Sequence, residues 1–251
     1  MNSVSGRTAI ITGAAGGIGH ALCRAFSGAG YFVIASDQET AGEVMAGHAY
    51  VPADLDRFCA DEHARTETLV RIRDAMAGRE LAVLINNAAL QIVKPAEQLT
   101  VEDWSRTINV NLIAPFLLIQ ALLPELEAAK GCVINIGSIH AALTKPKFAA
   151  YATSKSALIG LTRSLAVELG RRIRVNAINP AAIATPMLLE GFAGKDMALS
   201  ELEDMHPVGR IGEPGEVATL ALFLASDDAR FINGAEIGLD GGIRARLHDP
   251  V

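Results

Sequence analysis

The chain has 251 residues, half of them hydrophobic and only 5% aromatic, with 28 acidic against 22 basic side chains and a formal net charge of −6. So much apolar content excludes a disordered or low-complexity protein, and a single domain spanning 1–251 is the expected organisation, since single cores extend to roughly 250 residues. The acidic balance, with no Lys/Arg cluster noted along the chain, provides no attraction for phosphate backbones or anionic lipid and excludes nucleic acid and membrane surfaces as expected partners.

The first predicted strand, Ala9–Thr12, runs into Thr12-Gly13-Ala14-Ala15-Gly16-Gly17-Ile18-Gly19, after which a helix opens near His20 with Leu22, Phe26 and Ala29 on one face. Glycines let a backbone turn tightly and approach a pyrophosphate, and a helix N-terminus offers unpaired amides. Gly13, Gly17, Ile18 and Gly19 are therefore candidate dinucleotide contacts. The second strand, Phe32–Ser36, is followed by Asp37, whose carboxylate suits the adenosine ribose hydroxyls and repels a 2′-phosphate, selecting NAD over NADP. After the third strand, His48–Pro52, come Asp54 and Leu55, which suit an adenine amino group and ring or, equally, a helix N-cap. The fourth, Ala82–Asn86, leads to Asn87-Ala88-Ala89, where amide groups can bridge neighbouring loops and line the crevice.

The longest apolar stretch, Ile113–Leu123, is broken by Pro115 and Gln120, and nothing near Met1 reads as an export or anchor segment. Three scattered cysteines, Cys23, Cys59 and Cys132, and six scattered histidines suit reduced thiols in a cytoplasmic protein and suggest no metal site. The fifth strand, Cys132–Gly137, precedes Ser138, and Tyr151-Ala152-Thr153-Ser154-Lys155 opens a helix striped by Leu158, Leu161, Leu165 and Leu169. Tyr and Lys four apart share a helix face, so an ammonium beside the phenol would stabilise phenolate for acid/base work, with Ser138 hydrogen-bonding the same reacting oxygen. Strands Arg174–Asn179 and Ala235–Leu239 complete the set, and the least regular stretch, 186–214, holds a weakly helical pattern that suits a mobile substrate flap or a plain surface excursion.

Seven short, continuously apolar runs alternate with helical segments. Runs of that kind are buried on both faces, which predicts an α/β fold: a single-domain, Rossmann-like, doubly wound parallel sheet of about seven strands with helices on both faces. Ligands of such sheets bind beyond the carboxyl ends of the strands.

The ordered set Thr12-Gly13-x-x-x-Gly17-Ile18-Gly19, Asp37, Asp54, Asn86-Asn87-Ala88, Asn109-Val110-Asn111, Ser138, Tyr151-x-x-x-Lys155, Arg174-Val175-Asn176 and Asp240-Gly241-Gly242 resembles the short-chain dehydrogenase/reductase family over nearly the whole chain. The resemblance implies reversible NAD-dependent hydride transfer between a secondary alcohol and its ketone. Tyr151 would be the acid/base, Ser138 would orient the substrate oxygen, Lys155 would lower the Tyr151 pKa and hold the nicotinamide ribose, and Asn111 would complete the tetrad. Pro180, Ile183 and Thr185 would join the cofactor contacts, and a homotetramer built on helices starting near Val101 and Ala149 and on the C-terminal strand is implied as well. Two positions depart from the family pattern, Ala89 and Ala181 standing for glycines, each expected to add a methyl beside the cofactor path. The rival reading is a dinucleotide-binding regulatory or scaffold protein with a relic active site.

Gln91, His140, Lys145 and Lys147 fall near the predicted mouth and give it polar, cationic character, so a small hydroxy acid or sugar fits better than a steroid. Gln91 and His140 also resemble the carboxylate contacts of bacterial 3-hydroxybutyrate dehydrogenases, although Phe148 stands at the lysine position three before the tyrosine and Lys147 is one place off.

Overall fold

The computed structural model describes residues 6–38, 48–194 and 196–247. Strands β1 (Thr8–Thr12), β2 (Phe32–Asp37), β3 (Ala49–Pro52), β4 (Leu81–Asn86), β5 (Cys132–Ile136), β6 (Arg174–Pro180) and β7 (Glu236–Leu239) lie in the order β3-β2-β1-β4-β5-β6-β7. Every pair is parallel. The order reverses direction between β1 and β4, and that switch point is where the connections leave the sheet to opposite sides and open a crevice. Each strand lies within two residues of its sequence-predicted bounds.

Side chains of successive strand residues point to opposite faces, so a run without polar alternation supplies two cores. Ile10 belongs to one buried cluster with Leu84, Leu118 and Leu169, and Ile11 to the other with Phe26, Val217 and Leu224. Each such fully buried side chain contributes about 1.5–3 kcal/mol. The first cluster is covered by α3 (Glu62–Met76), α5 (Ala114–Ala121) and α7 (Ala149–Leu169), the second by α1 (Gly17–Gly28) and α10 (Pro214–Ala225). The remaining helices are α2 (Leu55–Ala60), α4 (Val101–Ile108), α6 (Leu123–Ala128), α8 (Pro186–Gly191) and α9 (Asp196–Asp204). No helix among the described residues is long and apolar enough to cross a membrane.

One polar chain crosses this apolar interior. Asn86 and Asn135 are register partners on β4 and β5. Asn86 Nδ2 donates to Asn135 Oδ1 at 2.8 Å, and Asn135 Nδ2 donates to Thr162 Oγ1 of α7 at 2.9 Å. Bonding one another offsets most of the cost of burying these amides, although Asn86 Oδ1 finds no hydrogen-bond partner.

The structure sharpens the sequence reading at three places. Helix α1 starts at Gly17, not near His20; two glycines are poor helix formers, but Gly19 sits where a Cβ would meet Gly13 O at 2.0 Å, so packing overrides propensity. The weakly helical pattern of 186–214 resolves into α8 and α9, with Pro186 in the first turn of α8 and Thr185 Oγ1 capping it by accepting from Leu188 N. The leucine stripe of α7 serves the interior, with Leu158 1% and Leu165 8% exposed.

Candidate active site

At the switch point a groove of about 580 Å³ is lined by the β1–α1 turn, the ends of β2 and β4, α2, and the start of α8. Of the residues expected to hold a dinucleotide, Gly13, Gly17, Ile18, Gly19, Asp37, Asp54, Leu55, Asn87, Ala88 and Thr185 line it. The glycines make it a cradle. A Cβ on Gly13, whose φ is +65°, would lie 2.6 Å from Ala88 Cα, and one on Gly17 would lie 2.9 Å from Thr185 Cγ2. The N-cap of α1, Gly16, carries no side-chain cap, so the first-turn amides are left to face an anion.

Polar side chains brace the walls. Thr12 Oγ1 accepts from Asn87 N and Ala88 N, and Asn87 Nδ2 donates to the carbonyls of Thr12 and Gly13. The asparagine thus ties the fourth strand's loop to the glycine turn. Asp37 accepts from Ala15 N at 2.8 Å through Oδ2 and from Gln38 N through Oδ1. Asp54 caps α2, its Oδ1 accepting from Asp56 N and Arg57 N, so the N-cap alternative holds while the residue also faces the groove. Arg106 of α4 and Val110 just beyond its end also line the groove and were missed, because only the tertiary packing of this segment brings them here.

Beside the groove the tetrad is buried: Asn111 1%, Ser138 8%, Tyr151 9% and Lys155 2% exposed. Asn111 sits in a π-helical turn, Asn109–Ile113. Its Oδ1 accepts from Leu90 N at 2.7 Å, while Nδ2 lies within bonding distance of Leu90 O and of Ser154 Oγ. Ser154 is a further residue of this site that sequence reasoning passed over, although it stands within Tyr151-x-x-x-Lys155. Burial pushes the Tyr151 phenol above its ordinary value, and a hydrogen bond with Ser138 pulls the other way. Burial drives Lys155 down to about 8. Its Nζ donates to Ile136 O at 2.7 Å and lies 5.7 Å from the Tyr151 ring centroid.

Pro180 is buried at the end of β6, and Ile183, Tyr151 and Lys155 likewise lie outside the lining of the groove. The two alanine departures have different fates. Ala89 lines the groove, as expected, whereas Ala181 lines a separate cleft with Asp240 and Gly242, so its methyl is not on the groove wall. On the substrate side, the His140 ring stacks on Phe148 at 4.5 Å and stands edge-on to Tyr151 at 5.6 Å. Burial, then Lys145, holds His140 below the ordinary histidine value. Its Nδ1 is 2.9 Å from Thr144 Oγ1. Gln91 and Lys147 are exposed, and no hydrogen bond or ring contact joins either to the tetrad among the described residues. Lys147 takes a left-handed turn, φ +74°, and its carbonyl accepts from Lys94 N.

A glycine cradle at the switch point beside a buried Ser-Tyr-Lys-Asn set has matching relatives. The family model described as enoyl-(acyl carrier protein) reductase matches residues 13–244. D-threitol dehydrogenase of Mycolicibacterium smegmatis is 34% identical over 95% of this chain and 93% of its own length. The chain belongs to the short-chain dehydrogenase/reductase family. As a family member it is an oxidoreductase acting on CH–OH groups. Other short-chain dehydrogenases are similarly related: 3beta-hydroxysteroid dehydrogenase 1 of Eggerthella lenta is 34% identical over 96% of this chain and 95% of its own. The ligand-free aldohexose dehydrogenase of Thermoplasma acidophilum superposes with a TM-score of 0.89 at 30% identity, covering 99% of this chain and 98% of that one. A 4-hydroxyisoleucine dehydrogenase complexed with NADH gives 0.86 at 31%, covering 96% and 100%. The seven-stranded parallel sheet is thus the family's fold.

Proposed function

We propose that this protein is an NAD-dependent dehydrogenase of a small, polyhydroxylated secondary alcohol, working through Asn111, Ser138, Tyr151 and Lys155. The observation that carries the reading is the Ser138–Tyr151 pair, buried beside a groove whose glycines leave room for a pyrophosphate. The first-turn amides of α1 would hold that pyrophosphate, Asp37 the adenosine ribose and Thr185 the far phosphate. Bound there, the dinucleotide supplies the hydride acceptor or donor. Tyr151 removes the proton of the substrate hydroxyl as the alcohol is oxidised and returns it in the reverse direction. Ser138 bonds the same oxygen and holds it at the phenol. Asn111 fixes Leu90 and Ser154 around the site by its three side-chain contacts.

The preference for NAD rests on charge. Asp37, Asp54 and Asp56 line the groove against Arg106 alone among the described lining residues, which opposes a 2′-phosphate. The substrate class rests on the mouth, where His140 and Thr144 present polar atoms beside Tyr151. Phe148 stacks on His140 at the position where a carboxylate-binding lysine would stand, which favours a sugar or polyol over a hydroxy acid. Relatives named for threitol and aldohexose support that choice, and the steroid dehydrogenase at equal identity is why the pocket must argue it. The segment 186–214 would close over this mouth. A cytoplasmic homotetramer completes the reading, with Val101, 83% exposed, and Val167, 87% exposed, as contact positions.

Tyr151→Phe tests the assignment: turnover in a screen of polyols, sugars and 3-hydroxybutyrate should vanish, while NADH binding by fluorescence titration stays within about twofold. Retained turnover would assign the proton transfer elsewhere. A wild-type protein that binds NADH but oxidises nothing in the screen would favour the relic-site scaffold.

A further inference from the structure

At the opposite end of the sheet from the groove, six basic side chains converge. Arg7, Lys130, Arg171, Arg172, Arg174 and Arg230 line a cleft of about 380 Å³ beside the first residues of β1, β4, β5 and β6, and Asp227 is the one carboxylate among the described residues lining it. The whole chain carries a net −6, so this is a local reversal of sign.

Part of the cluster has structural work. Helices antiparallel to the strands bring their carboxyl ends to this edge, and cations there meet the negative end of the helix dipole. Arg7 Nη2 donates to Ala129 O at the end of α6, and Arg174 Nη2 donates to Leu224 O at the end of α10. Arg172 pairs with Glu127, and Arg7 lies 3.5 Å from Glu80. Three cations are left over. Lys130, Arg171 and Arg230 are exposed and have no side-chain partner among the described residues.

We propose that this cleft binds a small phosphorylated polyanion, of the di- or triphosphate class, at a site separate from the catalytic groove. Guanidinium forks match phosphate oxygens two at a time, and several on one concave wall favour a multiply charged ligand over a single phosphate. The volume lies within the range of about 300–1,000 Å³ typical of small-molecule sites, and the concavity favours such a ligand over a protein surface. Because the cleft is walled by strand beginnings, its occupant stabilises the native sheet by mass action without touching the tetrad.

The test is calorimetric titration of sodium tripolyphosphate at low ionic strength into protein saturated with NADH, so that the glycine turn is already filled. One saturable site per chain is expected, weakening steeply with added KCl. The triple variant Lys130→Gln, Arg171→Gln, Arg230→Gln should lose at least about tenfold in affinity, since each charged hydrogen bond is worth about that factor. Its melting temperature without ligand, its turnover and its NADH affinity should stay at wild-type values. Absence of saturable heat, or an unchanged affinity in the triple variant, overturns the proposal. So does equal binding of hexaglutamate, which would make the cleft a surface for acidic protein.

Discussion

Lys155 is the residue whose chemistry costs the fold most. Its ordinary value is 10.5, and burial brings it to about 8 in the folded chain. Below pH 8 the lysine is protonated in both states and the full desolvation cost, about 3 kcal/mol, weighs on the fold. Between about 8 and 10.5 the folded chain sheds its proton before the unfolded chain does, so this residue's penalty fades as pH rises. Comparing wild type with Lys155→Met by urea denaturation at pH 7 and about pH 9.5, the difference should move in wild type's favour by about 2 kcal/mol at the higher pH. A constant difference would mean that the lysine is solvated. Asp37 makes a second prediction at this scale. Asp37→Ala should raise the ratio of NADPH to NADH kcat/KM by at least about tenfold, the removal of one like charge from a phosphate site. Both residues are legible in the sequence because a strand end or a helical spacing of four states their position. Arg106 and the stack of His140 on Phe148 are not, since each depends on where a neighbouring element lands.

Among the elements, the turn from β1 into α1 is the least tolerant. A Cβ on Gly19 would meet backbone atoms, Gly13 O at 2.0 Å and Ala14 Cα at 2.7 Å, neither of which can swing aside. Gly19→Ala should cost about 3 kcal/mol or more in thermal unfolding and abolish NADH binding, whereas Gly16→Ala, whose Cβ would make an ordinary 3.5 Å contact, should fold normally. The seven strands were readable because unbroken apolar runs between helical stretches leave little choice but a covered parallel sheet. The π-helical turn at Asn109–Ile113 was not: Asn111 is held by Leu90 and Ser154, from two other segments, and no local pattern encodes that clamp. Helices α8 and α9 show in the sequence only as a weakly helical pattern, because six and nine residues carry too little periodicity to mark their ends.

For the molecule as a whole, net charge proves a poor guide to local field. An acidic total hides a basic edge assembled from Arg7, Lys130, the Arg171–Arg174 run and Arg230, residues spread over most of the chain. Arg171-Arg172-Ile173-Arg174 is a basic run that the sequence reading passed over, and the sheet's geometry adds Arg7, Lys130 and Arg230 to it. Self-association belongs to this scale too. Sedimentation velocity should give a species of four 26.4 kDa chains, and Val167→Asp should reduce it to smaller species, since Val167 is 87% exposed on α7; a monomeric wild type would remove the proposed tetramer. The polar chain through the interior has its own large-scale consequence. Strands that are apolar on both sides can slide along their neighbours by a residue or two with little loss of hydrophobic contact. The amide pair Asn86–Asn135 supplies the missing alignment mark: a slid β5 would strand both amides in oil, so one polar contact keeps the two halves of the sheet from assembling out of step.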